Sequence, residues 1–284
     1  MMKIRDSRAN LVVRGVYGLI FMAAVIGAIL LGPYGFGVLL LAIIVGGTFE
    51  FYRITKLSGY RPQYILGLLS SVVLFALNYD HIFMGGGCLE AFEVIFILTI
   101  PAMFLAELFT GSKTPLANLG STLLSMIYVA IPTMLLCNVA MLLGGGAWNG
   151  YLMIAYIAII WANDTFAYIV GITLGKHKMF PRISPKKSWE GFFGGVFGAM
   201  ICGVLMSHWL GQNCLVWGGM AVIASVTGVV GDFVESMFKR SVEIKDSGNI
   251  IPGHGGWLDR FDALLVSTPV VYAYLYVLSI SDLI

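Results

Sequence analysis

The sequence predicts an all-α, polytopic integral membrane protein of about nine transmembrane helices, and three observations carry that prediction. Of its 284 residues, 58% are hydrophobic and only 11% are charged, whereas about a quarter of the residues in a soluble domain are charged. Apolar runs recur along the chain at the length that spans a bilayer, about 17 to 25 residues. The segments between these runs alternate between basic and free of basic residues.

Taken in order, the runs lie near 11–31, 34–52, 63–79, 91–109, 120–143, 151–173, 191–208, 213–232 and 263–281. The first follows basic residues but is long and has no small-residue cleavage site, so it reads as an uncleaved helix rather than a leader. Lys3, Arg5 and Arg8 precede it, with Arg14 at its start; Arg53, Lys56 and Arg61 follow the second run and Lys113 the fourth. Lys176, Lys178, Arg182, Lys186 and Lys187 follow the sixth, and Lys239, Arg240, Lys245 and Arg260 the eighth. The alternate connections near 32–34, 80–90, 144–150 and 209–212 carry no Lys or Arg. Because Lys- and Arg-bearing loops stay in the cytoplasm, the N-terminus is expected inside and the C-terminus outside an inner (cytoplasmic) membrane.

Two regions follow: residues 1–110, an N-terminal region of about four helices, and residues 111–284, a catalytic region with polar cytoplasmic loops at 174–190 and 233–262. A net charge of +2 argues against nucleic acid as a partner. Cys88, Cys137, Cys202 and Cys214 lack metal-ligand spacing and read as small apolar residues. Glycines such as Gly191, Gly194, Gly195 and Gly198 suit close helix packing in lipid.

Residues 231–262 concentrate Asp232, Glu235, Ser236, Lys239, Arg240, Lys245, Asp246, His254, Asp259, Arg260 and Asp262 in a chain otherwise poor in charge. On a helix continuing out of the eighth span, Asp232, Ser236 and Lys239 share one face. Asp259 and Asp262, three apart, project together at the entry to the ninth. Three carboxylates converging at a membrane surface suit a hard cation such as Mg²⁺, which takes one or two carboxylates plus water and substrate phosphate oxygens. Lys and Arg beside them match phosphate as point charge and as fork. Pro252, Gly253, His254, Gly255 and Gly256 form a turn whose backbone amides can approach an anion. A solvated loop with orientation-holding charges is the plainer reading for Glu243, Lys245 or Asp246 taken singly.

Asp164 sits about ten residues from the cytoplasmic end of its span, about 15 Å deep at about 1.5 Å per residue. An intramembrane carboxylate must face a polar cavity or a partner. Glu50 and Glu107, near cytoplasmic helix ends, read instead as interfacial.

Ser236, Lys239, Arg240, Lys245, Asp246, Gly248, Pro252, the triplet His254–Gly255–Gly256, then Asp259, Arg260 and Asp262 resemble, in order and spacing, the signature of the phosphatidate cytidylyltransferase (CDP-diacylglycerol synthase) family. Asn163, Asp164, Thr165, Tyr168, Gly171, Gly175 and Lys176 are similar to it too, as is the run Ser184–Pro185–Lys186–Lys187–Ser188–Trp189–Glu190–Gly191. Trp257 departs from the aliphatic residue or Phe usual there. The resemblance covers roughly 105–284; the first hundred residues share only hydropathy.

That resemblance implies transfer of CMP from CTP to phosphatidate, giving CDP-diacylglycerol and pyrophosphate, by a homodimeric enzyme. Under it, Asp232, Asp259 and Asp262 hold Mg²⁺, with or without a second cation, and Lys239, Arg240, Lys245 and Arg260 clamp phosphate. Ser184, Lys186, Lys187 and Ser188 hold CTP or the lipid headgroup. Asp164, Glu190, Ser236 and Asp246 contribute to substrate binding, and His254 either donates to phosphate or orders the glycine turn. A secondary transporter coupled through Asp164 is the rival class, disfavoured because no inverted repeat or paired broken helices are evident. CDP-alcohol phosphotransferases and intramembrane prenyltransferases fit worse, since their Asp patterns are missing and Ala167 stands where a second prenyltransferase Asp would fall.

Overall fold

The computed structural model describes residues 2–86, 89–248 and 255–281. Cys88 and the Pro252–Gly253–His254 part of the glycine turn therefore lie outside the described residues. Among those described, nine continuous helices follow one another: α1 Met2–Leu30, α2 Gly32–Leu57, α3 Tyr64–Met84, α4 Leu89–Thr110, α5 Pro115–Leu143, α6 Gly150–Leu174, α7 Trp189–Trp209, α8 Cys214–Ser241 and α9 Leu258–Ile280. Eight are long and apolar enough to cross a membrane, and α1 contributes the shorter apolar stretch Gly15–Leu30. Large apolar side chains such as Leu108, Phe109, Leu116 and Leu215 point outward, as a lipid environment requires.

The helix ends follow from local chemistry. Gly32 reverses the chain between α1 and α2 at φ 82°, a conformation glycine adopts freely. Pro33 follows in the first turn of α2, where its missing N–H costs nothing. Asn149 and Asn213 cap α6 and α8, each accepting two backbone N–H groups through its side-chain oxygen.

α5 is interrupted by a π-turn over Met126–Ala130. Pro132 explains it: proline offers no N–H to the carbonyl of Tyr128, four residues back, and its ring needs clearance from that oxygen. The wider turn supplies the clearance.

Two features depart from the expected outline. The segment 174–190 is not a plain loop but holds an antiparallel hairpin, β1 Lys178–Phe180 with β2 Ser184–Ser188, pairing Phe180 with Ser184 and Lys178 with Ser188. The segment 233–262 is helical as far as Ser241, so that Asp232 through Arg240 stand on one rigid rod.

The glycines pack as expected. Along α6 and α7, a methyl group at Gly195 would lie 2.7 Å from Asn163 Oδ1, and one at Gly198 would lie 2.2 Å from the Phe166 ring. Small residues here let two backbones approach where lipid provides no hydrophobic drive between helices. α7 packs on α8 and α8 on α9, while α9 also lies against the second half of α5.

Candidate active site

The site begins where α8 and α9 nearly touch. A methyl group at Gly231 would sit 2.4 Å from the carbonyl oxygen of Asp262 and 3.1 Å from the Cα of Ala263, so only glycine permits this approach. The neighbouring side chain on α8 is Asp232, which lines one cavity together with Asp262. Among the described residues, Asp262 accepts one hydrogen bond, from the N–H of Ala263 at 2.8 Å.

The hairpin brings a cation to this pair. Phe180 in β1 packs edge-on against Phe233, ring centroids 4.9 Å apart. Lys187 in β2 lies over the same Phe233 ring at 4.8 Å and ion-pairs with Asp232. Asp164 of α6 faces the group from across, with Asp232, Lys187 and Arg260 as the charges acting on it. A side chain expected to need a polar cavity has two: one of about 590 Å³ and one of about 670 Å³, both lined by Asp164, Lys187 and Asp232.

Two turns further along α8, Lys239 is buried between Glu235, its i,i+4 partner, and Asp259, whose Oδ1 it reaches at 2.5 Å. The other oxygen of Asp259 accepts the N–H of Ser247 at 2.9 Å, its hydroxyl at 3.0 Å and the N–H of Gly256 at 2.8 Å. The three aspartates of the expected metal site, Asp232, Asp259 and Asp262, line one cavity, with Asp232 paired to Lys187 and the oxygens of Asp259 accepting from Lys239, Ser247 and Gly256. Among the described residues, no group of three His, Cys, Asp or Glu side chains stands in a metal-holding arrangement.

Glu50 of α2, expected at the interface, is buried within the protein. Only 2% exposed, it accepts the Ser247 hydroxyl at 2.7 Å and the Leu258 N–H at 3.0 Å, fixing both the loop after α8 and the first turn of α9. Methyl groups at Gly248 or Gly256 would come within 2.1 or 2.2 Å of its carboxylate oxygens, which accounts for glycine at both places. Glu107 is likewise buried, accepting Asn118 Nδ2 at 2.7 Å and Gln63 Nε2 at 3.0 Å, and ties α3, α4 and α5 together.

Of the remaining expected residues, Ser236, Arg240, Lys245, Asp246 and Arg260 line the 590 Å³ cavity, and Lys186 and Ser188 the other. Arg240 also donates to the Ile244 carbonyl at 2.8 Å. Ser188 is the N-cap of α7, accepting the Gly191 N–H at 3.2 Å. Glu190 closes the hairpin base, accepting the N–H groups of Lys176 and His177 and pairing with His177 Nδ1 at 2.6 Å. Neither Glu190 nor Ser184 lines either cavity. The deep wall of the 590 Å³ cavity is apolar, built from Phe21, Val25, Phe36, Leu40, Ile43 and Ile157.

The sequence model of the Cytidylyltransferase family matches residues 12–278, which extends the likeness well into the first hundred residues, where the motifs had shown hydropathy alone. A phosphatidate cytidylyltransferase of Staphylococcus aureus (strain COL) is 46% identical over 123 residues, covering 43% of this chain and 47% of the relative. Enzymes of the same name from Staphylococcus haemolyticus and Staphylococcus epidermidis are 45% and 44% identical over the same length. These alignments span about half the length of the relatives. With the family match running almost end to end, the chain belongs to the cytidylyltransferase family.

Proposed function

We propose that this protein is a phosphatidate cytidylyltransferase acting at the cytoplasmic face of the inner membrane. The observation that carries the reading is the pair of cavities meeting at Asp164, Lys187 and Asp232. Transfer between a membrane-held phosphate and a soluble nucleotide needs two binding volumes that share one charged wall. The one-sided distribution of Lys and Arg supports the orientation, and the relatives' printed name supports the substrates. The homodimeric state implied by the resemblance belongs to the same proposal.

In the reaction, an oxygen of the phosphatidate phosphate bonds to the α-phosphorus of CTP. The bond from that phosphorus to the β-phosphate's bridging oxygen breaks, and pyrophosphate leaves. A phosphomonoester, with a second pKa of about 6, is mostly ionised at neutral pH, so no protein base is needed. What the protein must supply is alignment and charge compensation for two polyanions. Lys187 is held in place by Asp232 and the Phe233 ring, at the junction where the phosphates meet. Lys239 is locked by Glu235 and Asp259, which keeps its charge fixed at the cavity wall. Arg260 and Lys245, lining the same cavity, receive phosphate oxygens.

Asp232 and Asp262 fit Mg²⁺, because two carboxylates on one cavity wall supply hard oxygen ligands and leave the remaining positions to water and phosphate. When bound there, the ion would neutralise charge growing on the phosphate oxygens. Asp259 has a different part, holding Lys239 and the Ser247 loop.

The test is purified protein in detergent with CTP, phosphatidate and Mg²⁺, scored for pyrophosphate and CDP-lipid. Wild type should form both in equal amounts, and Asp232→Asn should lower kcat by on the order of 10²-fold, the size expected when phosphate-neutralising groups are lost. Absence of product from the wild type, or undiminished turnover in the variant, would refute the assignment.

A further inference from the structure

The cavity of about 590 Å³ has two unlike halves. One half carries the charges of Asp232, Lys239, Lys245, Asp259, Arg260 and Asp262, while the other is lined by apolar and aromatic residues. Along α6 the apolar half continues past Asp164 through Trp161 and Ile157 to Met153, towards the outer end of the helix. From position 164 to position 153 that is about 16 Å, at about 1.5 Å per residue. Facing walls come from α1 and α2. Phe21, Met22 and Val25 of α1, and Ile43, Leu40 and Phe36 of α2, line the cavity at spacings of three and four residues, one face of each helix.

The deep end is closed. Phe36, Leu40 and Met153 are at most 1% exposed, and the Phe36 ring is backed by that of Trp148, centroids 5.1 Å apart. A second apolar hollow, about 630 Å³ between α7 and α8, is walled by Phe197, Met200, Leu205 and Leu215 and has no charged residue in its lining. Of these two, the first alone joins an apolar slot to a phosphate-binding wall.

Phosphatidate carries its acyl chains and its phosphate on one glycerol, so a slot opening from that wall suits an acyl chain. Its length agrees, since one leaflet's chains fill about half of a hydrocarbon core roughly 30 Å thick. Moving a chain from bilayer to slot gains no hydrophobic energy, because lipid tails are as apolar as leucine. What the slot contributes is shape: its floor admits chains up to its depth, and a longer chain would overpack it.

Resting on the phosphatidate cytidylyltransferase reading, we propose that α1 and α2 form a ruler for chain length: an acyl chain of phosphatidate lies in this slot during transfer, and Phe36, with Leu40 and Met153, sets the longest chain accepted. The two N-terminal helices contribute none of the charged residues that line the cavity, yet they take part in substrate choice.

The test compares dihexanoyl, dipalmitoyl and distearoyl phosphatidate in one detergent. Val25→Phe, and independently Ile157→Phe on the facing wall, fills the slot above its floor. Each should lower kcat/KM for dipalmitoyl relative to dihexanoyl phosphatidate at least about tenfold against the wild-type ratio, within the range that overpacking an apolar site produces. The ratio cancels folded yield, so a poorly folding variant still reports. Phe36→Ala opens the floor and should raise distearoyl relative to dipalmitoyl turnover severalfold. Leu205→Phe, in the uncharged hollow, should keep both wild-type ratios. Wild-type ratios in both Val25→Phe and Ile157→Phe, an unchanged preference in Phe36→Ala, or an equal fall in Leu205→Phe would overturn the proposal. Should wild type form no CDP-lipid from any of the three lipids, the functional reading fails by itself. The rise in thermal midpoint on adding dipalmitoyl phosphatidate then decides for the slot. A rise lost in Val25→Phe, but kept there with dihexanoyl phosphatidate, supports it; a rise unchanged by the substitution, or absent from the wild type, refutes it.

Discussion

Under the proposed function, substituting Gly231 by alanine should abolish CDP-lipid formation through a single methyl group placed in a helix contact. The added carbon would lie 2.4 Å from the Asp262 carbonyl, against about 3.4 Å for ordinary contact. That oxygen belongs to helix backbone and cannot swing aside, so α8 and α9 must separate by about 1 Å. Overpacking of this kind costs about 1–3 kcal/mol. The separation also falls between Asp232 and Asp262, the two carboxylates that flank the contact, and a misplacement of about 1 Å at reacting groups costs about 10²-fold in rate. Gly228, one turn earlier on the same face, is the control. A methyl group there would meet Ala263 Cβ at 3.4 Å, an unstrained distance, so Gly228→Ala should retain wild-type turnover. The assay is CDP-lipid formation in detergent at saturating CTP and phosphatidate, alongside the apparent thermal midpoint of each variant. Full activity in Gly231→Ala, or an equal loss in Gly228→Ala, would refute the claim that this helix contact sets the geometry of the carboxylate pair.

Three further outcomes follow from the same geometry. Glu50→Ala orphans the buried Leu258 N–H and frees Ser247, so an apparent stability loss of about 1–3 kcal/mol should accompany reduced kcat; the thermal midpoint and turnover of Glu50→Gln, which keeps an acceptor, should fall between. Lys187→Met keeps the apolar stem over Phe233 but leaves Asp232 without its cation; kcat should drop by at least about tenfold with little change in thermal midpoint, because the pair is partly solvent-accessible and contributes little to stability. Asp259→Asn weakens the grip on Lys239 deep in the protein, and breaking one partner of a buried pair costs about 3–5 kcal/mol, so this variant should show reduced folded yield and a lowered midpoint as well as lost turnover.

Much of this architecture was legible in the chain. Hydropathy and loop charge outlined the nine helices, and the spacing of Asp232, Ser236 and Lys239 correctly anticipated one face of a continuing helix. What escaped was long-range or locally unsignalled. Glu50 contacts Ser247 and Leu258 across 197 and 208 residues, and no local pattern distinguishes such a glutamate from one at the membrane boundary. Glu235 stood out in the sequence only as one charge among those of 231–262, although it is 1% exposed and pairs with the buried Lys239. The hairpin strands are short, and Ser184–Ser188 has no apolar alternation to announce it. The π-turn over Met126–Ala130 had only Pro132 as a clue, and a proline in a membrane helix more often suggests a kink than a widened turn. Spacing placed Asp232, Asp259 and Asp262 together, and all three line one cavity, but it did not show that Lys239, Ser247 and Gly256 would already hold the oxygens of Asp259.

The bond between Glu50 and the start of α9 also orders the life history of the molecule. Membrane proteins are made from the N-terminus onward, and Glu50 is in the bilayer long before Leu258 leaves the ribosome. Until that last segment arrives, Lys239 lacks Asp259, Asp232 lacks Asp262, and a buried anion on the second helix waits for its donors. A nascent or truncated chain ending before α9 therefore lacks the paired charges around Lys239 and Asp232, and under the proposed function it would form no CDP-lipid.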